Sequence, residues 1–290
     1  MSSNDTLIPS ATSADSKESN LNIQQTVNSQ ALGNSMEEYL RHIGSHLSSE
    51  ELGSIILRIE VGSSKQPGGT VTFQVHRTLL CTKIPMFQRV FNEDFKEAVD
   101  QATKIADAVL ADDDPRAFKL LVGWMYSNRI EGDLEKGTDT VDTISSKGSL
   151  KGLLKSIKLP IFIKLCILAE NYEMPHLQDE SIDFLVQYMI DTRTSPNPSC
   201  WLEVYKNTSR TSKLRVLFAR IAVWQLSQEG GPNGAEAMDM LVLSRSRDLR
   251  RDISILMEGN LGGTLADPLL APACDYHSHG TVDECPCSKG

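Results

Sequence analysis

Residues 71–98 read VTFQVHRTLLCTKIPMFQRVFNEDFKEA, and the reading of the fold turns on them. Val71, Phe73 and Val75 alternate with Thr72 and Gln74, the period of two that marks a strand with one buried face. At His76-Arg77 the period changes. Leu79, Leu80 and Ile84 follow helical spacing, and Pro85 stands where a second helix can start without losing a hydrogen bond. A strand, a His-Arg junction and two helices are therefore predicted in close succession.

Upstream, Ile55 to Val61 predicts a first strand, and Gln66-Pro67-Gly68-Gly69 reads as the hairpin turn joining it to the second. Met36, Tyr39, Leu40, Ile43 and Leu47 lie on one helical stripe, so order is expected to begin with a short amphipathic helix near Met36. Residues 1–35 are rich in Ser, Asn, Thr and Gln and hold no aromatic residue. Their apolar surface is too small to offset chain entropy, and they are expected to be disordered.

Downstream, a short strand is predicted around Ile105 to Leu110. Asp112, Asp113, Asp114 and Pro115 follow, and three adjacent carboxylates raise the question of a metal. A calcium loop needs spaced ligands and a turn glycine, which this run lacks. Asp114 instead reads as a helix N-cap with Pro115 in the first helical position. The helix it opens carries Phe118, Leu121, Val122 and Met125 on one face. Leu159 to Met189 predicts a helical hairpin whose first arm is apolar on nearly all sides and whose second buries Ile182, Leu185, Val186 and Met189. Residues 131–156 are charged, Ser/Gly/Thr-rich and poor in apolar spacing, which predicts a surface insertion. Two prolines mark a boundary between Ser195 and Cys200, and Leu214, Leu217, Phe218, Ile221 and Trp224 predict a further amphipathic helix.

Four motifs in this order resemble a BTB/POZ domain. They are V-H-[KR]-x-x-L at Val75-His76-Arg77 to Leu80, D-D-P-x-x-F at Asp113 to Phe118, W-x-Y-[ST] at Trp124 to Ser127, and the Leu165, Ala169, Tyr172, Met174, Leu177 series. The resemblance implies an α+β fold, a small β-sheet capped by α-helical hairpins, followed by an all-α extension similar to that of fungal BTB proteins. It divides the chain into a tail over 1–35, the BTB/POZ domain over 36–192 with its insertion at 131–156, a helical extension over 193–260 and a Cys/His-rich tail over 261–290. Such domains bind other proteins, so the implied role is an adaptor docking partner proteins, including self-association. Phe95-Lys96-Glu97 matches the hydrophobic-x-Glu motif of cullin-binding relatives, which implies a substrate adaptor of a cullin-type ubiquitin ligase with Phe95 and Glu97 at the contact. The alternative is a transcription-associated or architectural scaffold with no ubiquitin role. In dimeric relatives an Asp in the first strand pairs with the basic residue after the histidine. Here Arg77 keeps the basic half, while Ile56 stands where the acid is expected.

Composition narrows the function classes. A net charge of −9 over 290 residues argues against a phosphate backbone as the main partner. Arg245, Arg247, Arg250 and Arg251 form a local basic cluster, but Asp248 and Asp252 dilute it to a solvated helix face. The longest apolar block, Ile161 to Ala169, is interrupted by Lys164 and is too short to span a bilayer. No targeting segment is read, and six scattered cysteines fit a reduced protein of the cytoplasm or nucleus. Cys81 and Cys166 sit among apolar residues and are expected in the core. His76 and Cys81 lack an orienting acid within sequence reach, and no phosphate loop or zinc-protease helix is present, so no enzyme is predicted.

The tail holds the one candidate metal site. Cys274-Asp275-Tyr276-His277-Ser278-His279 is followed by Cys285-Pro286-Cys287, five thiolate or imidazole groups within 14 residues. Cys274, His277, His279 and Cys285, with Cys287 as substitute for the last, would complete a closed tetrahedral zinc shell with a structural role. A tail without order and a redox pair at Cys285/Cys287 are the competing readings.

Overall fold

The computed structural model describes residues 52–66, 68–91, 106–131, 147–227, 245–259 and 266–278, with side chains in the fourth stretch from residue 158 onward. A three-stranded sheet comes first: β1 (Ile56–Gly62), β2 (Thr70–His76) and β3 (Ala108–Leu110), in the order β2-β1-β3. β1 pairs antiparallel with β2 in the register Ile59↔Phe73, and parallel with β3 in the register Glu60↔Val109. Between β2 and β3 lie α1 (Arg77–Lys83) and α2 (Pro85–Val90). Helices α3 (Pro115–Ser127), α4 (Lys147–Asn171), α5 (Pro175–Thr192), α6 (Pro198–Asn207), α7 (Lys213–Ser227) and α8 (Arg247–Gly259) follow. Two 3-10 turns, Pro268–Leu270 and Ala273–Tyr276, come after them.

The alternation predicted for β2 is realised, with Phe73 and Val75 buried, Val71 half-buried and Thr72 and Gln74 exposed; β1 shows the same period, with Leu57, Ile59 and Val61 buried and Arg58 exposed. The hairpin turns because Gly68 (φ +104°) and Gly69 (φ +64°) take left-handed backbone that side chains rarely adopt. Gly62 (φ +88°) is needed for space as well, since a Cβ there would lie 2.7 Å from Pro115 Cγ and collide with the Gly69 carbonyl. β3 is shorter than the predicted strand. The Asp107 carboxylate accepts from Arg58 N (2.7 Å) and the Asp107 N–H donates to Arg58 O (2.7 Å), ending the regular ladder at Ala108.

Asp114 caps α3, with its carboxylate accepting from Arg116 N at 2.9 Å and Pro115 opening the helix. This helix is buried on more than the predicted face, since Leu120, Trp124 and Tyr126 are enclosed along with Phe118, Leu121, Val122 and Met125. The expected insertion at 131–156 is corrected in part: residues 147–156 belong to α4. Leu150, Leu153, Leu154 and Ile157 have helical spacing, which the neighbouring glycines, serines and lysines obscured. Cys81 is half-buried rather than enclosed, as are Val186 and Trp224. Cys166 is buried, and desolvation pushes its thiol up to about 12, so it is inert packing.

A contiguous buried cluster runs from Leu57 through α3, α4 and α5 into α6, α7, α8 and Tyr276. Phe73 meets Phe118 at 5.0 Å between ring centroids, Phe162 meets Phe184 at 4.9 Å, and Trp201 meets Phe218 at 5.0 Å. The helical extension therefore shares its core with the sheet and the α4–α5 hairpin. Residues 1–51, including the expected disordered tail and the helix near Met36, lie outside the described residues. So do 132–146 of the expected insertion.

Candidate interaction surface

The β2–α1 junction is a fastening point. His76 Nδ1 lies 2.7 Å from the Tyr126 hydroxyl, and the His76 N–H donates to the same oxygen at 3.2 Å. Burial lowers the imidazole pKa, so the ring is held neutral as a structural hydrogen-bonding group. The Arg77 guanidinium donates to the Phe91 carbonyl, binding the start of α1 to the end of α2. Phe91 is buried and stacked on Phe87 (5.9 Å), which meets Tyr172 edge-on at 5.6 Å. Arg77 is thus engaged within the chain, and Ile56, where an acid was expected, is 52% exposed. Phe95 and Glu97 lie outside the described residues; the chain enters that segment from a buried Phe91 held by Arg77 and Phe87.

A second fastening joins α3 to α4. The Asp114 carboxylate, buried at the cap, also accepts from the Arg116 guanidinium (2.7 Å) and Lys164 Nζ (3.1 Å). Burial alone would raise its pKa, but these hydrogen bonds outweigh desolvation and hold the carboxyl below the usual range. Beside it, burial raises Asp113, with a hydrogen bond from the Tyr172 hydroxyl acting in the opposite sense.

The extension docks through groups that the apolar pattern did not reveal. Arg215, 5% exposed, donates to the carbonyl of Tyr205 (2.7 Å), to the Thr208 carbonyl and to Thr208 Oγ1 (3.0 Å), and reaches Asp248 on α8 at 3.3 Å. Glu170 on α4 accepts from Ser209 N (2.8 Å) and from the Ser212 hydroxyl, holding the loop that enters α7. The basic cluster is a solvated face as read: Arg247 and Arg250 are exposed and Arg251 turns to Asp248 and Asp252.

Residues 266–278 form a strap across α5 and α7. Tyr276 is buried, with its hydroxyl donating to Pro268 O (2.8 Å) and Arg220 stacked over its ring at 5.3 Å. Arg220 pairs with Asp275 at 2.6 Å. His277, also buried, places Nε2 2.9 Å from Asp183 Oδ1, and Ser278 donates twice to Asp179. Cys274 thus lies inside a 3-10 turn that His277 caps at its C-terminal end, while His279, Cys285 and Cys287 lie outside the described residues. Among the described residues no group of three or more metal-ligating side chains converges. The Asp183 carboxylate fixes the orientation of the buried His277 ring.

Among the described residues no helix is long and apolar enough to cross a membrane. Comparison with known proteins agrees with the architecture. TD and POZ domain-containing protein 4 of Mus musculus is 20% identical over 148 residues, which cover 48% of this chain and 38% of the relative. The chain thus spans well under half the length of that relative. The profile of the BTB/POZ domain matches residues 64–151, from the hairpin turn after β1 through β2, β3 and α3 into α4, and the chain carries a BTB/POZ domain, a protein–protein interaction module.

Proposed function

We propose that this protein is an adaptor that uses its BTB/POZ domain to dock a cullin-type ubiquitin ligase, with Phe95 and Glu97 in the contact. The observation that supports the reading is the anchoring of Phe91 by Arg77 and by Phe87, itself packed on Tyr172, which gives the segment carrying Phe95-Lys96-Glu97 a fixed point of departure four residues upstream. Such a role belongs to the cytoplasm or nucleus and needs no chemistry from the chain itself. Capture of purified cullin by the full-length protein tests it: Phe95→Ala with Glu97→Ala should lower capture at least ten-fold without shifting the melting curve. Undetectable capture by the unaltered chain would leave the scaffold alternative, with self-association measured by sedimentation, as the reading.

The tail reading is a structural zinc held by Cys274, His277, His279 and Cys285, with Cys287 able to replace the last. Bound zinc would cross-link the strap and would leave no open position for catalysis. Purified protein should carry about one zinc per chain by elemental analysis, as expected of a single tetrahedral site. Cys274→Ser with His277→Ala should remove it. Metal-free protein from a zinc-replete preparation would overturn the reading.

A further inference from the structure

We infer that the outer edge of β2, from Thr72 to Gln74, is a docking site for an extended acidic segment of a partner protein, added to the sheet as a fourth strand with a carboxylate set against Lys119. The register identifies which backbone groups face outward. Arg77 N–H donates to Ile55 O at 2.8 Å, one rung beyond Ile56↔His76, and hydrogen-bonded pairs alternate along an antiparallel ladder. Val71, Phe73 and Val75 therefore bond to β1, whereas Thr72, Gln74 and His76 turn their N–H and C=O groups to the edge. His76 confirms the phase, because its outward N–H is taken by the Tyr126 hydroxyl. Thr72 and Gln74 have no such partner among the described residues.

Alongside this edge runs a cleft of about 260 Å³ between β2 and the start of α3, lined by Val71, Phe73, Pro115, Arg116 and Lys119. Its walls are mostly apolar, as a strand side chain entering it would require. Arg116 is committed to Asp114. Lys119 is half-buried and has no carboxylate partner among the described residues, and desolvation lowers its pKa. A partly buried ammonium without a counter-ion is costly, and an incoming carboxylate would relieve that cost. The outer edge of β2 supplies register, the cleft takes an apolar side chain, and Lys119 selects an acid at the next same-face position. The net charge of −9 opposes an acidic partner at long range, so recognition rests on these contacts.

This inference extends the interaction-module reading without depending on cullin. The probe is the fluorescein-labelled heptapeptide Thr-Val-Thr-Glu-Thr-Val-Thr, titrated with the full-length chain by anisotropy. Saturable binding is expected, with at least a ten-fold loss when alternate peptide amides are N-methylated, a change that needs no mutation of the protein. Thr72→Pro removes an N–H that the β1 ladder does not use, so the fold should persist while binding falls at least ten-fold. Lys119→Glu should cause a similar loss and should favour the probe with lysine in place of glutamate. Phe95→Ala with Glu97→Ala, which reads cullin capture, should leave probe affinity unchanged. No saturable binding, equal binding of the N-methylated probe, or indifference to both Lys119 and the probe's charge would overturn the proposal. So would a dimer that Thr72→Pro converts to monomer, since a second copy would then own the edge.

Discussion

The sheet and the strap are held by different physics. At the sheet, Ile59, Val75 and Phe118 are fully enclosed, and the polar groups at the rim, His76 and Asp114, fix angles between elements that the core already brings together. The strap buries few side chains, Tyr276, His277 and Pro268 among them. Much of its remaining attachment comes from separate polar contacts: Arg220 to Asp275, His277 to Asp183, and Ser278 to Asp179. Apolar burial is non-directional and pools over many residues, whereas polar contacts must each be placed and each competes with water. The two ends of the chain should therefore fail differently.

Emptying the sheet side should have the largest effect. Phe118→Ala leaves a cavity against Phe73 and is expected to cost about 4 kcal/mol, read as a lower urea midpoint for the whole chain. A loss below about 1 kcal/mol would show that the core collapses around the gap. Next is Arg215→Met, which strands the Tyr205 and Thr208 carbonyls and removes one of the cations around Asp248; about 3 kcal/mol is expected. If that variant melts α6–α8 while the sheet's amides stay protected, the shared core is two cooperative units.

Asp114→Asn ranks third, at about 2 kcal/mol near neutral pH, through loss of the ionised cap and the contacts to Arg116 and Lys164. Its sign with pH is definite. The folded pKa is depressed below 3.8, so the contribution is present above that value and lost as pH falls through the folded pKa. Asp113, raised by burial, pulls the opposite way. The difference between wild type and Asp114→Asn across pH 2 to 6 isolates the first group, and an unchanged difference would refute its assignment.

The smallest global effect belongs to Arg220→Gln. Both members of its ion pair are more than a third exposed, so solvent screening limits the loss to about 0.5 kcal/mol. The informative readout is local: amide exchange should quicken over 266–278 while the sheet stays protected. Equal quickening in both regions would make the strap part of the same cooperative unit and erase the contrast.

Much of the fold was legible because it rests on periodicity. The alternation of Val71, Phe73 and Val75, the switch at His76-Arg77, Pro85 and Pro115 at helix starts, and the Asp114 cap are local devices, each set by residues a few positions apart. Residues 147–156 were misread because glycine and lysine interrupted a helical spacing that extends into the predicted hairpin. The attachments of the extension were not legible at all. Nothing near Arg215 announces a buried cation, since its partners are carbonyls of α6 and a carboxylate of α8.

Sequence alone determined where strands and helices form, that the sheet has one wet face, and that a Cys/His cluster ends the chain. Only the tertiary structure decided that the strap crosses α5 and α7, that His277 meets Asp183 across 94 positions, and that Lys119 lines a cleft beside the outer edge of β2. The physical reason is range. Propensity and hydrophobic period act within a few residues, while the partner of a polar side chain is whichever distant group the packed core brings within hydrogen-bond reach.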